Sequence, residues 1–118
     1  MAGQMSRNKI VVRKGDSFDI VMQFRHGELQ PMDLSQCLLK MSVRRQDGDL
    51  LFTKSGEVID VLSGKARLKL LPDDTDVEPG VYKTDIQLTL KNGDVHTVFP
   101  QEINQVGVFV VTEEVTQS

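Results

Sequence analysis

Tryptophan is absent from this chain of 118 residues, cysteine and tyrosine occur once each, and histidine occurs twice. A lone cysteine, Cys37, excludes an intramolecular disulfide. Its apolar setting in QCLLKM reads as a small buried hydrophobe rather than a catalytic thiol, which needs a base and an electropositive surrounding. The two histidines, His26 and His96, lie far apart in sequence and in no recognisable motif, so they and Cys37 do not make a zinc site by spacing. With aromatics at 5%, a sugar-stacking face has few rings from which to be built. No glycine-rich phosphate loop and no nucleophile elbow is present, and no catalytic set or cofactor is expected. No apolar run approaches the roughly 20 residues that span a bilayer. The start MAGQMSRNKI lacks the apolar core of a secretory signal. The expected location is a host cytoplasm, or a particle assembled in it, with no membrane partner.

What is present is the composition of one soluble globular domain: 39% hydrophobic and 26% charged residues with a net charge of -3. The charge is uneven. Residues 1–59 sum to +2 and residues 60–118 to -5. Neither half offers the basic face that a nucleic-acid backbone requires. A solvated surface is the default reading of this asymmetry; head-to-tail contact between copies is the other, and a homo-oligomer is one expected partner state.

Apolar residues recur with period 2, the spacing of half-buried strands. NKIVVR (8–13) is one strand. In SFDIVMQF (17–24), Phe18, Ile20, Met22 and Phe24 share a face. Asp33–Ser35 reads as a turn and residues 37–45 as a strand with Leu39, Met41 and Val43 inward, although Leu34, Cys37, Leu38 and Met41 also fit helical spacing. QDGD (46–49) is a hairpin turn, followed by the strand LLFTK. GEVIDV and KARLKLL form a further pair, with Ala66, Leu68 and Leu70 inward. VYKTDIQLTLKNGDVHTVFP (81–100) reads as a hairpin. A two-residue Asn92-Gly93 turn of type I′ sets Leu90 opposite Val95, Leu88 opposite Thr97 and Ile86 opposite Phe99. QVGVFVVTE is the last strand. About seven to nine short strands with turn signals every ten residues or so predict an all-β sandwich. The expected domain runs over residues 8–113, between a flexible N-terminal extension (1–7) and a frayed tail (114–118).

Two segments invite a functional reading. The acidic loop PDDTDVEPG clusters Asp73, Asp74 and Asp76, which suggests calcium. The EF-hand spacing is missing, however, and a single capped helical turn followed by a Pro79-Gly80 turn explains the composition. In the last strand, Val106, Val108 and Val110 are expected to fill the core. Phe109, Val111 and Val98 would then form an outward apolar strip, the expected interface. Arg44 and Arg45 beside the 46–49 turn read as solvated, and His96 as an exposed residue opposite Thr89.

The order of motifs is similar to that of a known group. VVRKGDSFDIVMQF, then LQPMDLSQCLLKMSVRRQDGDLLF, then LKLLPDDTDVEPGVYKTDIQLTLKNGDVHTVF resemble the immunoglobulin-like N-terminal domain of phage baseplate upper proteins and related stand-alone tail proteins. The likeness runs from about residue 10 to residue 112. It implies an immunoglobulin-like antiparallel β-sandwich and a non-catalytic virion component that contacts other virion proteins, and it implies no catalytic residue. A ligand-binding module, most plausibly for a glycan, is the alternative from another class.

Overall fold

The computed structural model describes residues 3–26, 30–102 and 104–113. The tail expected at 114–118 lies outside the described residues, as do Met1 and Ala2. The described strands are β1 (Gly3–Met5), β2 (Lys9–Arg13), β3 (Phe18–Gln23), β4 (Arg25–His26), β5 (Gln30–Pro31), β6 (Leu38–Arg44), β7 (Leu50–Ser55), β8 (Glu57–Asp60), β9 (Lys65–Leu70), β10 (Gly80–Thr89), β11 (Val95–Phe99) and β12 (Gly107–Thr112), with one helical turn, α1 (Pro72–Thr75), between β9 and β10.

The large sheet has the order β1-β2-β12-β10-β6-β7, with β11 also on β10. The small sheet has the order β3-β9-β8, and β4 and β5 form a separate ribbon. The two main sheets bury their facing sides in one core. Ile20, Ala66, Leu68 and Leu70 come from the small sheet, and Ile10, Val12, Met41, Val43, Ile86 and Phe109 from the large one. Removing each large apolar side chain from water contributes about 1.5–3 kcal/mol. This is an immunoglobulin-like β-sandwich. Its pairings are antiparallel except β2 with β12, which run parallel. The Tyr82 hydroxyl at the start of β10 donates to the Glu78 carbonyl. That bond pins the connection from α1 in the manner of the tyrosine corner of such sandwiches.

Local chemistry accounts for two tight hairpins, β6–β7 and β10–β11. Each has a three-residue loop, Gln46-Asp47-Gly48 or Lys91-Asn92-Gly93. Gly48 N–H donates to the Arg45 carbonyl and Gly93 N–H to the Leu90 carbonyl, both at 2.9 Å. The side chains of Asp47 and Asn92 accept the N–H groups of Asp49 and Asp94, both at 2.9 Å. Only the glycine of each loop is left-handed, with φ of 99° at Gly48 and 95° at Gly93. This is the type I turn with a glycine bulge, one of the common hairpin solutions.

The second loop corrects the expected register. A type I′ turn needs positive φ at Asn92 as well, and Asn92 does not have it. Leu90 therefore faces Asp94, and the pairs become Thr89–Val95, Leu88–His96 and Gln87–Thr97. A bulge at Val98 then restores the expected pair Ile86–Phe99. His96 sits opposite Leu88, not Thr89.

Two further expectations change. Gly3–Met5 is not an extension but an edge strand on β2. The stretch from Arg25 to Pro31, read as a loop, contains the β4–β5 ribbon. The 33–45 segment resolves as the turn and strand expected. Asp33 accepts from the Ser35 hydroxyl at 2.5 Å and the Ser35 N–H at 2.8 Å. Leu39, Met41 and Val43 point inward.

Candidate interaction surface

The inward face of β12 is the opposite of the one expected. Phe109 is 0% exposed and Val111 is 2% exposed, both in the core. Phe109 packs edge-on to Phe52, with centroids 6.3 Å apart at 79°, and tilted against Tyr82 at 6.4 Å. Val98 is half-buried and packs against the same core. The expected strip of Phe109, Val111 and Val98 is therefore not a surface. Strand β12 lies between β2 and β10 and carries valine on both faces, so alternation alone does not say which row is inward. The packing settles it: Gly107, Phe109 and Val111 are buried, while Val108 and Val110 are only half-buried.

The outward row brings a different apolar strip together. Register places Val11, Val110 and Val81 side by side across β2, β12 and β10. Val108 lies one row along, between Lys9 and Lys83. Val81 is 51% exposed, and Val11, Val108 and Val110 are half-buried. No layer of the described residues covers this side. The next row reads Lys9, Val108, Lys83, Arg44, a line of three cations across four strands.

Beside this line Pro100, Gln101, Glu102, Gln105 and Val106, between β11 and β12, overhang a groove of about 420 Å³. Arg44, Lys83, Asp85 and Thr97 form its sheet side, and Gln101, Glu102 and Gln105 its overhang. Among the described residues, no aromatic ring lines it. Glu102 is held by Arg7 at 3.0 Å.

The remaining sequence candidates do not converge. Asp74 accepts from Lys54 Nζ at 2.8 Å and from the Leu71 N–H at 2.7 Å, which caps α1. Asp76 lies 3.9 Å from Lys14 Nζ. Among the described residues, no group of three His, Cys, Asp or Glu side chains could hold a metal ion. Cys37 is buried with its Sγ 3.7 Å from the Ser35 carbonyl, and His96 is exposed. Arg44 donates to the Gly48 carbonyl at 3.1 Å, bracing its hairpin. Two exposed carboxyls are tuned by local bonds. The Ser35 hydroxyl and N–H hold Asp33 below its ordinary 3.8. The Ser63 N–H, at 3.3 Å, is the main cause holding Asp60 below the same value.

The chain matches no protein-family model and no curated protein. Among solved structures it is similar to that of CopC from Methylosinus trichosporium OB3b. The two are 11% identical over 83% of this chain and 80% of that one, with a TM-score of 0.46.

Proposed function

We propose that this chain is a non-catalytic structural component of a phage or prophage virion, a tail or baseplate accessory that works by protein–protein contacts. The observation that carries the reading is the strip of Val11, Val108, Val110 and Val81 on the outer side of the large sheet, with Val81 exposed and the other three half-buried. An apolar stripe on an otherwise polar sheet face is the mark of a surface that meets another protein. The order of turn and core motifs from residue 10 to residue 112, which resembles that of phage baseplate domains, supports the same reading and gives the setting. The chain acts in the particle, or in the host cytoplasm before assembly. The groove beside the strip has polar side chains but no ring on which a sugar could stack, so the glycan alternative gains nothing from it.

The test is the composition of purified particles. Quantitative mass spectrometry of virions from a host carrying the gene should find this chain at a fixed stoichiometry to the other virion proteins. Absence from intact particles, combined with saturable binding on a glycan array, would overturn the reading.

A further inference from the structure

The geometry points to a specific occupant for this face: we propose that the outer side of the large sheet receives the acidic α1 end of a second copy of the chain. This rests on the assembly reading above and names the partner surface.

The two outer faces of the sandwich are built differently. On the small sheet every outward charge in the strands has an opposite neighbour. Asp19 lies opposite Lys69, Asp60 opposite Lys65, and Glu57 is bonded to Arg67. Such cross-strand pairing is what a solvated face needs. On the large sheet the outward strand residues include Lys9, Arg13, Lys40, Arg44 and Lys83 against the single carboxylate of Asp85. None of those five cations is in an ion pair among the described residues. The outward strand residues thus sum to +4 on a chain of -3, which leaves -7 on the rest, and Glu102 of the overhang is itself paired with Arg7. Lys83 and Arg44 are direct neighbours, an arrangement that repels in the free chain and is relieved by an acidic partner.

The α1 end has the complementary chemistry. Asp73, Asp76 and Glu78 are exposed there, and Asp73 and Glu78 are in no ion pair among the described residues. Leu71, 44% exposed, precedes the first residue of α1. A face that receives an end is a heterologous contact, which propagates into rings or open stacks rather than closing as a two-fold dimer.

Two neutralised pairs test this. The face variant is Arg44→Gln with Lys83→Gln, and the end variant is Asp73→Asn with Glu78→Gln. All four residues are exposed, and thermal melts by circular dichroism check that both variants fold. Wild-type chain should associate in sedimentation experiments, and raising salt from 0.1 M to 1 M, which shortens the Debye length from about 10 Å to about 3 Å, should weaken the association by about tenfold or more. Each variant alone should associate far less. Mixed in equal amounts they should form a 1:1 dimer and nothing larger, because each supplies one intact half of the contact. Association that ignores salt and both variants would overturn this occupant while leaving the assembly reading in place. A wild-type chain that stays monomeric would also overturn it, and the particle measurement would still decide the assembly reading separately.

Discussion

Replacing Phe109 with alanine removes the largest side chain of β12 from a position sealed on every side. Its ring is 0% exposed and packs between Phe52 and Tyr82. Its backbone is paired on both flanks, to Ile10 of β2 and Tyr82 of β10. Strands fixed on both sides cannot close over the vacancy, so the cavity persists and the cost falls in the range of about 3–5 kcal/mol for such truncations. A chain of this length has a total stability of about 5–15 kcal/mol. Near its midpoint each kcal/mol moves Tm by about 4 °C, so the expected drop is about 12–20 °C. Val110→Thr on the outward row is the control and should change stability by no more than about 0.5 kcal/mol. Circular dichroism melts of the two variants read both numbers. A large loss for Val110→Thr with little change for Phe109→Ala would place the other row of β12 in the core. That result would refute the face assignment on which the interaction surface depends.

Other outcomes follow from single contacts. Tyr82→Phe keeps the ring but deletes the hydroxyl that donates to the Glu78 carbonyl, and should cost about 1 kcal/mol in a denaturant titration. Gly107→Ala drives a methyl into the Thr84 carbonyl and should destabilise by about 1–3 kcal/mol, whereas Gly93→Ala meets open space and should cost only the left-handed backbone strain, about 1–2 kcal/mol. The carboxyls of Asp33 and Asp60 titrate below 3.8 when folded. The stability they contribute is therefore present above that value and is lost as pH falls through their lowered folded pKa values. Ser35→Ala deletes the hydroxyl but keeps the N–H bond, so it should move the Asp33 titration, followed by NMR, part of the way up toward its ordinary value, and an unmoved titration would remove the Ser35 hydroxyl as a cause.

The strands were legible because their faces differ in polarity. Phe18, Ile20 and Met22 alternate with Asp19 and Gln23, and Leu39, Met41 and Val43 with Lys40, Ser42 and Arg44. The same signal was silent where both faces are apolar, as in β12, and there only the strand neighbours decide. The Asn-Gly pair marked a turn correctly but serves a two-residue and a three-residue loop equally. The choice was made by the Asn92 side chain accepting from Asp94, and it shifted the register by one residue up to the bulge at Val98. Strand β1 was missed because three residues, GQM, carry no periodicity. The cationic line was illegible for a different reason. Lys9, Arg44 and Lys83 are far apart in sequence, and only the pairing of β2, β12, β10 and β6 makes them neighbours. The charge imbalance between the halves of the chain was legible, but it does not locate this face, which takes Lys9 and Arg44 from one half and Lys83 from the other.

The most direct test of contact through the large sheet's outer face is the solution mass of the wild-type chain, by light scattering after size exclusion across about a tenfold range of concentration. Contact through this face gives a mass that rises with concentration above the 13.2 kDa of one copy and falls back towards it in high salt. A mass fixed at 13.2 kDa throughout would contradict it.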